Sequence, residues 1–295
     1  MKLGFSSLVC PTWSLEAILE AGKNLGFTGV ELRGLQGEPD LTRSSELADD
    51  PEGAKRHIAE AGLELVCLGT SASFTARQDG ELRDNIDLAR RHIELARRLG
   101  ARMVRVSTGN VPRGGTPAEA LPQAGRVLAE LGPFAVENGV IVVVENTGGF
   151  SRTEDLWFQL DSADHPAIKC CLNAVACQTQ RERPTITVPR MAPHLGLVHL
   201  ADARVDSSGN MDGFVMPGTG DVEIEPMVTL LRGIGYDGYL IFEWPKSLVP
   251  ELPEPDEVLP KFKELVSGIL EAEQPVLTAY KGDKRAPKYR RQAAS

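Results

Sequence analysis

Eight short apolar runs recur along the chain, and most are separated by segments whose apolar residues repeat at helical spacing. The runs are KLGFS (2–6), GVELR (29–33), LELVCLG (63–69), RMVRVS (102–107), VIVVVE (140–145), IKCCLN (168–173), LGLVHLA (195–201) and YLIFE (239–243). Strand–helix–strand alternation implies parallel strands joined by right-handed crossovers. Eight such units in 295 residues predict a closed (β/α)8 barrel. An open, doubly wound sheet is the alternative, but no glycine-rich phosphate fingerprint follows the first run.

The intervening segments carry their own start and stop signals. Ser14 opens SLEAILEAGKNLGF as an N-cap, and Gly26 closes it. In DNIDLARRHIELARRLGA (84–101), Ile86, Ala89, Ile93 and Ala96 form one stripe. Asp87–Arg91 and Glu94–Arg98 pair one turn apart, and Gly100 stops the helix. His92 falls on the charged side of this helix and reads as a surface histidine. Two more helices are predicted within 116–139 and 257–273. The sixth unit is the least regular: Pro184, Pro189 and Pro193 predict a short helix or a loop in 180–193.

Composition narrows the function classes. With 42% hydrophobic and 25% charged residues, the chain reads as a soluble barrel over 1–272 followed by a basic extension over 273–295. No apolar run approaches the ~20 residues needed to cross a bilayer, so no membrane partner is expected. A net charge of −9 argues against general nucleic-acid binding, which needs a basic footprint. The tail KGDKRAPKYRRQAAS has six Lys or Arg against one Asp; it reads as a solvated extension and is compatible with a homodimer contact. Five cysteines (Cys10, Cys67, Cys170, Cys171, Cys177) form no CxxC pair. Reduced core thiols and a cytoplasmic location are the expectation.

In a parallel barrel, chemistry gathers at the C-terminal ends of the strands. Side chains alternate along a strand, so parity tests which terminal residues face inward. Glu145 shares parity with Val143 and Ile141, His199 with Leu197 and Leu195, Glu243 with Ile241 and Tyr239, and Asn173 with Cys171. Four consecutive strands therefore bring these residues to one rim. Two glutamates and a histidine in an apolar mouth are costly unless they hold a cation or share protons. Such a donor set suits Mn, Mg, Co or Zn without selecting among them. Glu31, Arg33 and Arg105 also lie near strand ends, as candidates for substrate oxygens or for rim salt bridges. Arg204, Trp244 and Lys246 closely follow rim positions and are candidate substrate contacts.

Several stretches together resemble the sugar phosphate isomerase/epimerases, xylose isomerase-like barrels related in fold to endonuclease IV. They are GFTGVELRGL, VVVENTGGF, LVHLADAR, PGTGDVEIEPMVTLLRGIGYDGYLIFEW and the segment EWPKSLVPELPEPDEVLPKFKEL. The resemblance spans about 1–272. It implies a divalent metal held by Glu145, His199 and Glu243, with the fourth ligand, an aspartate in the family, falling on Asn173. It also implies a substrate-facing histidine where this chain has Ala176. A neutral amide lacks the ionic contribution of a carboxylate, so a weak, altered or empty metal site is expected.

The function implied is metal-assisted isomerisation or epimerisation of a sugar, keto-sugar or related polyol. Glu145 and Glu243 would be the acid–base pair. The alternatives are a repurposed barrel acting as a lyase on an oxidised glycoside, and a non-catalytic sugar-binding or partner subunit. Multi-zinc DNA repair chemistry is disfavoured by only five histidines and the acidic balance.

Overall fold

The computed structural model describes residues 1–272. The predicted basic extension, 273–295, lies outside the described residues. Among the described residues ten strands form: β1 (Lys2–Ser6), β2 (Gly29–Leu32), β3 (Glu64–Gly69), β4 (Met103–Ser107), β5 (Ile141–Glu145), β6 (Ile168–Asn173), β7 (Leu195–Leu200), β8 (Ala203–Val205), β9 (Met211–Phe214) and β10 (Tyr239–Phe242). Eight of them close a parallel barrel in the order β1-β10-β7-β6-β5-β4-β3-β2. Closure is made where β1 pairs with β10 on one side (Lys2 opposite Tyr239) and with β2 on the other (Gly4 opposite Gly29). The eight predicted runs are the eight barrel strands. The short antiparallel hairpin β8–β9 is additional and was not evident from periodicity.

The helices are α1 (Leu15–Asn24), α2 (Ser45–Ala48), α3 (Pro51–Glu60), α4 (Asp79–Leu99), α5 (Pro117–Glu137), α6 (Thr153–Ala163), α7 (Ala174–Thr179), α8 (Pro184–Met191), α9 (Ile224–Gly233) and α10 (Pro255–Glu271). Ser14 caps α1 by accepting a hydrogen bond from Ala17 N. Gly100 ends α4 at φ 77°, a left-handed conformation that favours glycine. The irregular sixth unit is resolved as two short helices, α7 and α8, with Pro184 in the first turn of α8 and Pro189 inside it. None of the helices among the described residues is long and apolar enough to cross a membrane. All five cysteines are free and buried.

His92 departs from expectation. It is 1% exposed rather than on the surface, because the segment Leu41–Arg43 and the adjoining Asp40 pack over that side of α4. Amphipathic spacing places a residue on a helix face but does not say what loop will cover that face.

The barrel interior is filled by Val66, Cys67, Met103, Val143, Cys171, Leu197, Tyr239 and Ile241, so it is a packed core and not a channel. Tyr239 fits only because Gly29 stands opposite. A Cβ at position 29 would lie 2.5 Å from the tyrosine ring and 2.6 Å from Val66. The Gly29→Ala substitution should therefore cost about 1–3 kcal/mol through overpacking, read as a lower urea midpoint. An unchanged midpoint would show that the barrel floor is not close-packed there.

Candidate active site

The C-terminal rim of the barrel gathers six charged or titratable side chains and one amide. Glu145 ends β5, Asn173 ends β6, His199 lies in β7, and Glu243 follows β10 directly. Strand register sets Asn173 beside His199, and His199 beside Ile241. Glu31 on β2, Arg105 on β4 and Arg33 just beyond β2 join them.

His199 is the hub. Its Nδ1 lies 2.8 Å from Glu145 Oε1 and 3.4 Å from Glu243 Oε2, and its Nε2 lies 2.8 Å from Glu31 Oε2. Glu31 also accepts a hydrogen bond from Ser6 Oγ at 3.2 Å. Arg105 forms an ion pair with Glu145 through two of its nitrogens and donates to Thr70 O at 2.8 Å. Arg33 forms an ion pair with Glu243 and lies 4.0 Å from Glu145 Oε2.

Asn173 connects the two halves of this network. Its Oδ1 accepts from Ala176 N at 3.0 Å and so caps α7. The amide nitrogen is thereby turned inward, donating to Glu145 Oε1 at 2.8 Å and Glu243 Oε2 at 2.9 Å. An aspartate here would cap with one oxygen and present the other as an acceptor. An asparagine that caps can present only a donor.

Burial alone would raise the Glu145 pKa, but Arg105, His199 and Arg33 hold it well below the usual carboxylate range. Burial and the nearby Glu145 charge push Glu243 up, while His199 and Arg33 outweigh them and leave it lowered. His199 is pushed down by burial but held well above its ordinary value by Cys171 and by Glu31, Glu243 and Glu145. Once that imidazole is protonated, three carboxylates face two guanidinium groups and one imidazolium. The cluster then balances its formal charge with its own side chains.

The structure separates the candidate residues by accessibility. Glu243 is 12% exposed and lines a mouth cavity of about 360 Å³, together with Arg33, Arg105 and Asn173. Glu145, at 1%, sits behind them. Glu31 is fully buried beneath the mouth and bonded to His199.

Trp244 is also fully buried, stacked on Phe242 with Nε1 donating to Pro253 O, so its proposed substrate contact is corrected to a core role. Lys246 is tied to Pro250 O, Leu252 O and Glu254. Arg204 is half-exposed, paired with Asp221 and not among the residues that line the mouth cavity. Proximity in sequence to a rim residue misled in these three cases because side chains alternate and the loops fold back.

Three supporting residues were not singled out from the sequence. Asp202 accepts from Gly218 N, Gly220 N and Val222 N, so it folds the PGTGD loop. Asn146 accepts from Asn173 N at 2.7 Å and fixes the end of β6. Gly69 leaves the space through which the Arg33 stem passes to the mouth, since a Cβ there would overlap that stem. Only the ENT and PGTGD stretches hinted at the first two.

The barrel topology and this rim agree with a sequence-profile match over residues 19–264 to the xylose isomerase-like TIM barrels. The chain belongs to this family. Within it, the chain is 24% identical over 235 residues to a 3-dehydroshikimate dehydratase of Pseudomonas putida, covering 76% of this chain. It spans only 35% of that relative's length.

Two solved structures share the fold. A D-tagatose 3-epimerase-like protein aligns with a TM-score of 0.74 at 21% identity, covering 92% of this chain and 97% of the other. The probable 3-DHS dehydratase AsbF from Bacillus anthracis aligns with a TM-score of 0.74 at 14% identity, covering 90% and 99%.

Whether this xylose isomerase-like barrel suits a divalent cation is a question of donor chemistry. Two groups, Glu145–Cys171–His199 and Glu31–His199–Glu243, bring their ligand atoms within 4.8 Å of one another. Burial raises the Cys171 thiol to about 12, far from a ready thiolate. A cation held by Glu145, Asn173, His199 and Glu243 would meet an N–H donor and two guanidinium groups already on the carboxylates. The residues as arranged do not fit that four-ligand set.

Two outcomes follow from this network. Asn173→Asp should keep the cap, turn the inward donor into an acceptor, and strengthen Mn²⁺ binding by roughly 10–100-fold in calorimetric titration. Equal affinity in both proteins would refute the role given to the amide. Arg105→Met should cost about 3–5 kcal/mol at neutral pH, because it strips a buried carboxylate of its partner. Since Glu145 is lowered by that partner, the stabilisation is present above its ordinary value of 4.5 and is lost as pH falls through the folded value. The stability gap between wild type and variant should therefore narrow on acidification, in denaturation series taken across that range.

Proposed function

We propose that this chain is an enzyme that removes and returns a proton at the carbon beside a carbonyl. Its substrate is a sugar, keto-sugar or related polyol, and the outcome is isomerisation or epimerisation. The observation that carries the reading is a pair of carboxylates, Glu145 and Glu243, bridged by one amide at the barrel mouth.

Glu243 faces the cavity and is the proton acceptor. Glu145 is the second carboxylate of the pair, held with His199 immediately behind it. Abstraction beside a carbonyl leaves negative charge on the carbonyl oxygen. Arg33 and Arg105, which both line the mouth, supply fixed positive charge for it without reorganisation. The similarity to sugar epimerases supports this substrate class.

A Mn, Mg, Co or Zn ion would act as a Lewis acid on substrate oxygens if bound. It would first have to displace the Asn173 amide and a guanidinium. A second reading, elimination, is favoured by the similarity to 3-dehydroshikimate dehydratases. It shares the first proton abstraction and differs only in losing a hydroxyl from the next carbon.

The test is hydrogen exchange in D2O, followed by proton NMR, with ketoses and 3-keto-glycosides as probes. Wild type should exchange the hydrogen beside the carbonyl, and Glu243→Gln should slow this by roughly 10²–10⁴-fold. Exchange with water loss would select elimination. Binding without exchange would leave a non-catalytic sugar-binding barrel. Exchange that survives Glu243→Gln intact would sink the assignment of the base.

A further inference from the structure

Beside the mouth, on the β2–β3 side of the rim, lies a second cavity of about 520 Å³. It shares Leu8, Arg33 and Leu248 with the mouth cavity, so the two meet at the guanidinium that holds Glu243. Ligand sites commonly occupy ~300–1,000 Å³, and each cavity falls in that range alone. A small substrate bound at the mouth leaves the side cavity unfilled.

Its wall is well supported. Leu35 and Glu38 pair across a tight turn whose central residues, Gln36 and Gly37, have φ of 51° and 82°. Gly37 N donates to Pro11 O at 2.9 Å, which pins this turn to the loop after β1. The lining mixes apolar Leu8 and Leu35 with polar Asp40, Thr70, Ser71 and Ser247.

The decisive group is His92, from α4. It is 1% exposed and lines this cavity. Its Nδ1 lies 2.9 Å from Leu88 O; a carbonyl only accepts, so Nδ1 carries the proton. Among the described residues, its Nε2 has no hydrogen-bond partner. The nearest acidic oxygen, Asp40 Oδ1, is 3.8 Å away, beyond hydrogen-bond reach, and already accepts from Thr42 N and Oγ1. Burial, the largest influence on this ring, lowers its pKa and favours the neutral form, leaving a lone pair on Nε2. A buried acceptor without a donor is uncommon in a folded protein and calls for an explanation.

We propose that the side cavity is a second carbohydrate subsite, which takes a further hydroxylated ring attached to the reacting sugar, with His92 Nε2 accepting a hydrogen bond from one of its hydroxyls. The substrate is then larger than a monosaccharide, and Arg33 stands at the boundary between the reacting part and the attached one. This inference rests on the sugar-like substrate reading above and extends it.

The test uses the full chain, with D-fructose as the small probe and maltose, cellobiose and trehalose as two-ring probes. Binding is measured by calorimetry, and position by crystal soaking. At least one disaccharide should bind with one ring in the side cavity and a hydroxyl oxygen within hydrogen-bond distance of His92 Nε2. His92→Phe should lower its affinity relative to D-fructose by about three- to tenfold, the worth of one neutral hydrogen bond. Ser71→Trp, at an exposed lining position, should block the same ring without altering the core, and it serves if His92→Phe does not fold.

D-fructose at the mouth with no disaccharide in the side cavity would overturn the inference and leave the sugar-like reading standing. A water fixed between His92 Nε2 and Asp40 that none of these sugars displaces would also overturn it. Failure of every sugar to bind at either place would take down the substrate reading itself.

Discussion

Three carboxylates brought to one end of a packed barrel must find counter-charge, and the rest of the site is arranged around that requirement. Glu31, Glu145 and Glu243 converge on a fully buried histidine, where isolated charges are strongly disfavoured. Arg105 reaches Glu145 from β4, and Arg33 reaches Glu243 over the bare backbone of Gly69. Further hydrogen bonds close the ion pairs, Arg105 donating to Thr70 O and the Asn173 amide donating to both carboxylates, which is the condition for buried charge to be tolerated. His199 cannot be considered apart from its neighbours, since each of its nitrogens faces a carboxylate.

The polarity of one amide then decides what kind of site this is. Asn173 sits where the family resemblance places a metal-binding aspartate, and its oxygen is committed to the first turn of α7. That leaves a donor pointing at two carboxylates that would otherwise repel each other. In this arrangement the barrel holds Glu145 and Glu243 together with its own cations and an N–H bridge. The proposed chemistry therefore rests on electrostatics built from side chains.

Much of the architecture was legible from period and parity. The eight strand runs, the helix stops and the inward parity of Glu145, Asn173, His199 and Glu243 follow from local rules, because a strand's two-residue alternation is set by backbone geometry. Legibility ended where loops return to the barrel. Trp244 lies one residue beyond Glu243 yet stacks in the core, and Lys246 is neutralised by its own loop. His92 looked solvated on its helix but lies beneath a segment some fifty residues earlier in the chain. No local pattern carries that information, since each depends on where a distant segment packs.

The sequence by itself determined the barrel and the rim at which Glu145, Asn173, His199 and Glu243 gather. Those are properties of residue type and spacing along single strands. Only the tertiary structure decided which atom of Asn173 faces the carboxylates, which of the two glutamates meets the cavity, and that Arg33 and Arg105 take the place of counter-charge. Each of these depends on hydrogen bonds and ion pairs between residues far apart in the chain, whose directions are set when the barrel closes.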